Sequence, residues 1–565
     1  DLHSFPTRRS SDLTNVDKKV FCLFFICFIG LFVISSVNAV EDKITSDYQV
    51  TSDLSNEDIQ KVFDSANDGD TIEFKSKEYK NISLVVDKKL NIISKVNSNI
   101  HVSFDIKNLR INKTFGFYFT PNSKGSLLSG ITIVANSADY GIVLNSSDNT
   151  IIKNNIITGG ANSILIRNSH NVGLTYNDIS KAIKNGVQLQ NVKNSLFYNN
   201  KISYNGRSGI ETSNIDNNNI SYNIIHHNRF NGISMYNESS SNSIKHNNVY
   251  ENTNGIYIDS NSKYDIINAN TFTSNRRDPN CELGGYESGN GLLFGADFKT
   301  AKEGSAARLQ VKYNVLTHNE QYQAKNNPEL PVFKLGDNWF DSTDDSNTFV
   351  CPMLLAGIMK LDTISVKNGI GLQMYDTNGN EVKEFATFDT KVNVDGKQYT
   401  AKFVNGRAII DAKLDSNKEY DVEVEIGGKF VKYKYKATGE KDNNNANNKK
   451  PDTTNSGSFN TNRSSKQGNG DSNSPNNHIS NSNSSSKKYG SNSSDIYSND
   501  YSDNGQNTIS NGDSNANGDE SKEGKAYEVV PESKISKSLT ETSGIVVLIM
   551  VFLMILFIFG YRRGQ

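Results

Sequence analysis

The chain has 565 residues, of which 35% are hydrophobic and 22% are charged, and its formal net charge is −2. This length exceeds that of an ordinary single domain, so several domains are expected. The nearly balanced charge provides no overall attraction to a polyanion, which excludes nucleic acid as an expected partner.

The N-terminal residues predict export from the cell. Residues 1–13 are similar to a translated sequencing adapter and are set aside from the fold prediction. A lysine pair precedes the apolar run 20–34, and the small residues that end at Ala39 fit a cleavage site, so residues 14–39 are interpreted as a signal peptide. An uncleaved membrane anchor is the alternative, which is disfavoured because the apolar run is short for a membrane span.

A short amphipathic helix is predicted before the first strands. The segment SNED at 55–58 resembles a capping box. The apolar stripe that follows it consists of Ile59, Val62, Phe63 and Ala66. We expect this helix to cover the open N-terminal end of a solenoid, whose strand edges would otherwise be exposed.

A repeat of about 23 residues organises the middle of the chain. Asparagines recur with steps of 23, 23, 23, 24 and 23 residues, at Asn154, Asn177, Asn200, Asn223, Asn247 and Asn270. Apolar residues lie three positions before and two positions after each of these asparagines. A further segment of each repeat begins with glycine or serine and continues with apolar residues at alternate positions.

This repeat predicts the fold of the middle region. Apolar residues at alternate positions are typical of short strands that turn one face inward. A repeat of this length fits three short strands with their turns, which form one rung of a parallel solenoid. Leucine-rich repeats have a similar length, but their leucine pattern is absent from this sequence. The prediction is therefore a parallel β-helix over residues 50–361, with asparagine ladders at its corners.

One rung of the predicted solenoid carries an insertion. The matching asparagines Asn270 and Asn314 are 44 residues apart, and the extra segment is assigned to residues 276–288. Inserted loops on solenoids often carry binding residues. The segment includes Cys281, which either forms a disulfide with Cys351 outside the cell or remains a free thiol. Spacing alone leaves both alternatives open.

The chain after the solenoid changes character three times. Hairpin signals and about seven alternating strands predict a small Ig-like β-sandwich over residues 362–437. Residues 438–540 are rich in asparagine and serine and are expected to form a disordered linker. Apolar residues at 541–561 predict a transmembrane helix, and the arginines of 562–565 fit a cytoplasmic tail. We expect a single-pass protein at the cell surface, with its N-terminal part outside.

Two segments resemble known families. The sequence IQKVFDSANDGDTIEF at 59–74, with the asparagine-rich rungs after it, resembles right-handed β-helix proteins related to pectate lyases and periplasmic copper-maturation proteins. The sequence DNWFDS at 337–342, the module after it and the C-terminal anchor resemble adhesin-like surface proteins of anaerobic archaea. The resemblance implies an all-β, right-handed parallel β-helix. It also implies a membrane-anchored protein that binds glycans or surface proteins of other cells.

The resemblance to β-helix lyases and hydrolases implies that catalytic carboxylates, if present, lie at outward strand positions. One outward file contains a single acidic residue and consists of Val143, Leu165, Gln188, Glu211, Ser234 and Tyr257. The other contains none and consists of Ile152, Thr175, Tyr198, Ser221, Lys245 and Asn268. Neither file supplies the paired carboxylates of glycoside hydrolysis, so we expect no catalytic residue, no enzymatic activity and no cofactor.

Exposed tyrosines provide the predicted binding residues. Tyr198, Tyr236 and Tyr257 can stack on sugar rings, although ordinary packing between strands explains them equally well. Glu211 completes the predicted binding set. The alternatives to an adhesin are a polysaccharide lyase or hydrolase centred on Glu211 and residues 276–288, and a purely structural envelope component.

A weak metal-site candidate lies at the end of the solenoid. Asp341 and Asp345 have the alternate spacing of calcium ligands, but no glycine and distal glutamate complete a calcium-binding loop. A solvated exit loop is the favoured interpretation. Four histidines near predicted corners are interpreted as surface or turn residues rather than catalytic bases: His170, His226, His227 and His246.

Overall fold

The computed structural model describes residues 46–103, 105, 112–302, 305–327, 329–330, 332–340, 354–366 and 369–437. The predicted signal peptide, linker, transmembrane helix and cytoplasmic tail lie outside these residues, as do Asp341, Asp345 and Cys351. Among the helices that are described, none is long and apolar enough to span a membrane.

The predicted N-terminal helix is confirmed. Helix α1 (Asn56–Ser65) begins after Ser55, whose hydroxyl oxygen accepts a 3.1 Å hydrogen bond from the backbone N–H of Asp58. This bond satisfies one of the free N–H groups of the first helical turn. Ile59 and Phe63 are buried in the same core cluster as the first strands, so the helix packs on the beginning of the solenoid.

The described residues between 48 and 358 coil into a right-handed parallel β-helix, in which successive rungs add strands to three parallel sheets. Sheet A contains Tyr48–Val50, Thr71–Phe74, Asn91–Ile93, Leu127–Ser129, Ile151–Lys153, Gly173–Thr175, Leu196–Tyr198, Asn219–Ser221, Ser243–Lys245, Ile266–Asn268 and Gln310–Lys312. Sheet B contains Glu78–Ile82, Asn99–Val102, Thr132–Asn136, Ile156–Gly159, Asp178–Ser180, Lys201–Ser203, Ile224–His226, Asn248–Tyr250, Thr271–Thr273, Val315–Thr317, Phe333–Phe340 and Leu354–Ile358. Sheet C contains Leu84–Val86, Phe115–Phe119, Tyr140–Asn145, Asn162–Arg167, Val187–Gln190, Ile210–Asp216, Asn231–Ser240, Asn254–Lys263, Asn290–Phe294, Lys299–Thr300 and Tyr322–Lys325. A short 3-10 helix spans Pro121–Ser123.

Inward residues of adjacent rungs stack into apolar files. In sheet B, Ile202 pairs with Ile225, which pairs with Val249, and all three are buried. Burial of such a file stabilises the fold by roughly 25 cal/mol per Å² of apolar surface and fixes the strand register.

The predicted outward file of sheet A needs one correction. Ile152 is fully buried, and Lys153 occupies the outward position of that strand.

Buried asparagines form the predicted ladder at the corner between sheets A and B. The side-chain oxygen of Asn223 accepts hydrogen bonds of 2.9 and 3.0 Å from the backbone and side-chain N–H groups of Asn200, one rung earlier. These bonds satisfy backbone groups that the turn would otherwise leave buried and unpaired. The ladder consists of Asn155, Asn177, Asn200, Asn223, Asn247, Asn270, Asn314 and Asn338. Asn154, predicted as the first member, instead takes an exposed corner position with φ +55°, because the first step is 22 residues long.

A column of glycines closes the corner that leads into sheet C. Rungs approach so closely there that an added Cβ atom would lie 2.5–2.9 Å from a carbonyl oxygen of the next rung. The column consists of Gly186, Gly209, Gly232, Gly255 and Gly291. This close approach explains the glycine that opens the third segment of most sequence repeats.

The extra residues between Asn270 and Asn314 divide between two corners. The first lengthened corner joins sheets B and C and contains the short helix α2 (Pro279–Leu283). The second joins sheets C and A and places Lys299–Thr300 beside sheet C. The prediction assigned the whole insertion to 276–288 and is corrected in this respect. The ladder continues across it, because the side chain of Asn270 donates a 3.0 Å hydrogen bond to that of Asn314.

Two antiparallel sheets follow the solenoid from Lys360. One contains Lys360–Val366, Gly369–Tyr375 and Arg407–Ile410. The other contains Phe388–Val394, Lys397–Phe403, Glu419–Ile426 and Lys429–Lys436. Apolar residues of both sheets share one core cluster, as a sandwich requires. The Ig-like classification of this module stays a prediction.

The two-sheet module packs against the solenoid. The indole N–H of Trp339 donates a 3.2 Å hydrogen bond to the carbonyl oxygen of Ile426, and Trp339 belongs to the core cluster of the module. Lys245 on sheet A forms a 2.9 Å ion pair with Glu384 of the module. The module therefore covers part of the solenoid near the corner between sheets A and B.

Candidate functional site

The structure brings three of the four predicted binding residues onto the outward face of sheet C. Glu211 and Tyr257 occupy equivalent outward positions two rungs apart, with Ser234 between them. Tyr236 lies two residues after Ser234 on the intermediate rung. Tyr198 lies on the outward face of sheet A and is not part of this surface. The name sheet C site is used below for Arg207, Glu211, Tyr236, Tyr257 and Asp259.

Glu211 has a basic partner and an amide donor. One carboxylate oxygen lies 3.7 Å from a guanidinium nitrogen of Arg207, four residues earlier. The other accepts a 3.2 Å hydrogen bond from Nε2 of Gln188 on the preceding rung. These charge-assisted contacts hold the carboxylate in one place on the face of the sheet.

Two tyrosine rings form a platform beside Glu211. Tyr236 and Tyr257 meet edge to face, with ring centroids 5.7 Å apart and ring planes inclined by 65°. Both side chains are partly exposed. A partly exposed tyrosine offers a sugar an apolar ring face together with a hydroxyl group. The platform can therefore position a carbohydrate on sheet C.

Asp259, which the sequence analysis missed, completes the site. The hydroxyl of Tyr257 donates a 3.0 Å hydrogen bond to one carboxyl oxygen of Asp259, and the backbone N–H of Asp297 donates a 2.6 Å bond to the other. Burial raises the pKa of Asp259 above its ordinary value, and this effect outweighs the two hydrogen bonds, which oppose it. A carboxyl group with a raised pKa in a partly open site is a candidate proton donor.

The second lengthened corner builds one wall of this site. An added Cβ atom at Gly295 would collide with the carboxyl of Asp259 and the hydroxyl of Tyr257. A larger residue at this position would displace these two side chains. Asp259 follows Tyr257 by two residues and therefore faces outward on the same strand. Asp259 can be found in the sequence by including the next outward residue of each strand of sheet C.

The first lengthened corner is held by its own polar contacts. The guanidinium of Arg277 donates two hydrogen bonds of 2.8 Å to Glu282, and the hydroxyl of Ser288 donates a third of 2.6 Å. The bonds from Arg277 and then Ser288 lower the pKa of Glu282 to about 2. Tyr286 packs edge to face on Phe230 at 5.3 Å between ring centroids, which fixes this loop on the corner between sheets B and C.

Cys281 is a free thiol in the structure. Its sulfur lies 3.5 Å from a carboxylate oxygen of Asp278. Burial, with the negative charge of Asp278, raises the pKa of Cys281 to about 11, so the thiol is protonated at neutral pH and is a poor nucleophile. The proposed partner Cys351 lies outside the described residues, so the disulfide stays a prediction.

Metal binding was predicted only at Asp341 and Asp345, which the structure does not describe. In the part of the chain that it does describe, no group of three or more His, Cys, Asp or Glu side chains is arranged to hold a metal ion.

Comparisons with known proteins agree with the fold. Residues 115–276 match a family model described as a right handed beta helix region. No curated protein gives a significant match. The Dettilon tailspike protein (gp208) is 13% identical with a TM-score of 0.35, over 70% of this chain and 84% of that chain. The mannuronan C-5 epimerase AlgE4 A-module of Azotobacter vinelandii is 12% identical with a TM-score of 0.36, over 55% and 97%. The catalytic domain of a GH87 alpha-1,3-glucanase is 15% identical with a TM-score of 0.33, over 56% and 58%.

The expectation of a protein without enzymatic activity is overturned. Solved structures with a similar fold include proteins named as an epimerase and a glucanase. The expectation also rested on Glu211 as the single outward acid, whereas Asp259 places a second carboxyl group on the same face. The solenoid is a right-handed parallel β-helix, and its sheet C carries two carboxyl groups beside an aromatic platform.

Proposed function

We propose that the protein binds a polysaccharide on the outward face of sheet C and cleaves it by acid–base chemistry. The observation that carries this proposal is Asp259, whose raised pKa favours the protonated form and whose carboxyl is held by Tyr257. A protonated carboxyl group can give its proton to the oxygen of a departing sugar. Asp259 is therefore the proposed general acid.

Glu211 is the proposed general base. Arg207 and Gln188 hold its carboxylate on the same face as Asp259. Glycoside hydrolysis uses one carboxyl group as acid and a second as base or nucleophile. The same pair serves elimination when the base removes a proton from the sugar. Tyr236 lies on the rung between the two carboxyl groups and, with Tyr257, stacks on the bound sugars.

The setting of this activity is proposed to be the cell surface. Residues 14–39 and 541–561 support export and membrane anchoring through their charge and apolar patterns. The module supports an Ig-like spacer, because its first, second and fifth strands share one sheet and the remaining four share the other. The enzyme would then act on glycans outside the cell.

Turnover by the purified full-length protein tests the proposal. A panel of polysaccharides with and without uronic acid units is incubated with the protein in detergent. New reducing ends report hydrolysis, and ultraviolet absorbance of unsaturated sugars reports elimination. Asp259→Asn and Glu211→Gln should each lower turnover by roughly 10²–10⁴-fold.

The matched control is Asp216→Asn. Asp216 is another outward acid of sheet C, paired with Lys193 at 3.6 Å, and its loss should leave turnover unchanged. Equal turnover by the Asp216 and Asp259 variants, or no product from any polysaccharide, would exclude the proposed acid.

A further inference from the structure

Both edges of sheet B carry rows of aromatic side chains. The row at the corner between sheets A and B has consecutive ring centroids 4.9–5.6 Å apart and consists of Tyr176, Tyr198, Tyr222 and His246. The row at the corner between sheets B and C has stacked pairs at 4.8 and 4.9 Å and consists of Tyr204, His226, His227 and Tyr250. The strand between them is three residues long, so the two rows run along the solenoid about 10 Å apart. They are called the sheet B rows below.

Many of these rings stand on a backbone conformation that bulky residues avoid. Within the sheet B rows, φ is between +54° and +57° at Tyr176, Tyr204, Tyr222, His227 and His246. This left-handed conformation is unfavourable for such residues. The corner between sheets C and A adopts the same conformation with asparagine at Asn168, Asn171, Asn191, Asn194, Asn214 and Asn217. The fold thus accepts asparagine at its corners, so the backbone does not explain rings at the edges of sheet B.

Each row contains one exposed tyrosine, and the charges beside the rows are paired. Tyr204 is 55% exposed and Tyr222 is 45% exposed. The exposed Ile224 and Asn248 lie on the strands between the rows. The charged contacts around the rows are Lys201 with Asp178 at 3.6 Å, His227 with Glu251 at 2.9 Å, Arg276 with Glu251 at 2.5 Å, and Lys245 with Glu384 of the module at 2.9 Å. Ring faces beside paired charges favour an uncharged ligand over an ionic one.

His226 adds an uncharged ring to the second row. Its ring stacks on Tyr250 with centroids 4.9 Å apart and planes inclined by 6°. Its Nδ1 lies 2.8 Å from Nδ1 of His227, so one of these two nitrogens must lack a proton. Burial, with the charge of His227, lowers the pKa of His226 to about 4. This ring is therefore neutral at neutral pH.

We propose that the outward face of sheet B is a second polysaccharide-binding surface, on which an uncharged polysaccharide lies along the sheet B rows with sugar rings stacked on Tyr204 and Tyr222. This inference rests on the proposed function in one respect, namely that the ligand of the protein is a polysaccharide. Sheet B lies on another face of the solenoid than Asp259. It holds the polymer, while sheet C carries out the cleavage.

Affinity electrophoresis of the full-length Asp259→Asn protein tests this surface without turnover. The gels contain glucan, mannan or galactan as neutral polymers, or polygalacturonate as an anionic one. The parent protein should be retarded by at least one neutral polymer. Adding Tyr204→Gly and Tyr222→Gly should weaken retention by about tenfold or more, because two stacking surfaces are lost. The thermal midpoint of the variant with both glycines should be unchanged or higher than that of the parent, because glycine removes the strain of the left-handed backbone conformation.

Tyr264→Gly is the matched control. Tyr264 is 51% exposed and has φ +61°, but it lies at the corner between sheets C and A. Its replacement should have the same effect on the thermal midpoint and no effect on retention. If the substitutions acted only through backbone strain, changes at Tyr204, Tyr222 and Tyr264 would affect retention alike. If sheet B binds the polymer, only the changes at Tyr204 and Tyr222 should weaken retention.

Three results would overturn the inference: equal retention by the parent and the double glycine variant, preferential retention by polygalacturonate, and no retention by any neutral polymer. The proposed function is tested separately with wild-type Asp259. Cleavage of oligosaccharides too short to reach sheet B should survive the double glycine change and disappear with Asp259→Asn. Loss of this cleavage with binding intact would leave the second surface in place.

Discussion

The ammonium group of Lys245, on sheet A, lies 2.9 Å from a carboxylate oxygen of Glu384 in the C-terminal module. Burial alone would raise the pKa of Glu384, but the hydrogen bond and positive charge of Lys245 outweigh burial and leave that pKa lowered. Glu384 therefore stabilises the fold above its ordinary pKa of 4.5, and this contribution is lost as the pH falls through the lowered value.

A double-mutant cycle of Lys245→Met and Glu384→Gln should give a coupling energy of about 1 kcal/mol at pH 7. Thermal unfolding measures it, and limited proteolysis should show the module released earlier in both single variants. Lys432 and Glu423, an exposed pair 3.1 Å apart within the module, provide the comparison and should couple more weakly. Equal coupling in the two cycles would mean that the docking contact has no special role.

Asn223→Ala should strongly destabilise the solenoid. The change removes the acceptor of two hydrogen bonds from Asn200 and leaves a buried backbone N–H unpaired. We expect the free energy of unfolding to fall by about 3 kcal/mol in chemical denaturation. Asn248→Ala, at an exposed position of sheet B, should cost less than about 0.5 kcal/mol. Similar losses in both variants would refute a stabilising ladder.

Asp265→Asn should stabilise the protein at neutral pH. Oδ1 of Asp265 accepts bonds of 2.8 and 2.9 Å from Asn242, yet burial still raises the pKa of Asp265. An acid with a raised pKa destabilises the fold as the pH rises above its ordinary value of 3.8. The variant should gain on the order of 1 kcal/mol at pH 7 and nothing below pH 3.8. Asn242→Asp, which adds a second buried carboxyl, should have the opposite effect.

The lowered pKa of His226 predicts acid sensitivity. A neutral buried histidine stabilises the fold above its ordinary pKa of 6.5, and the contribution is lost as the pH falls towards about 4. His226→Phe keeps a ring on Tyr250 and removes the titration. As the pH falls from 6.5 to about 4, the thermal midpoint of the wild type should therefore fall below that of this variant. His170→Phe, at an exposed corner, should follow the wild type.

Tyr257→Phe should shift the alkaline limb of the pH profile of the proposed turnover. Asp259 acts as an acid only while protonated, so turnover falls as the pH rises through its raised pKa. The hydrogen bond from Tyr257 lowers that pKa, and its removal should raise it further. The pH profile of kcat should therefore extend to higher pH in the variant. An unchanged or acid-shifted limb would remove Asp259 from the acid role.

Spacing in the sequence was enough to predict the solenoid and most of its ladder, because Asn177 to Asn270 are separated by nearly constant steps. The assignment failed at Asn154, where the shorter step of 22 residues moved the register by one position and turned Ile152 inward. A single missing residue exchanges the two faces of a strand. Neighbouring repeats alone do not show where a turn shortens.

The sheet C site was predicted in part. Period-2 alternation placed Glu211 and Tyr257 on one face, as the structure has them. Burial raises the pKa of Asp259, and the chain that returns at Gly295 lies against its carboxyl group, so this contact joins residues in different segments of the chain. The division of the insertion between two corners is likewise set by packing, since 276–288 and the residues around Gly295 contain similar loop-forming sequence.

The ladder has a direction, and the direction sets an order of assembly. The backbone N–H of Asn177 is paired only by the side chain of Asn200, and that of Asn200 only by Asn223, each on the following rung. A chain emerging from the ribosome therefore leaves its newest corner unfinished until 23 further residues arrive. Every premature end within the solenoid would expose such a donor at its last rung. Among the described residues, the series ends at Asn338, next to Trp339, which the module covers.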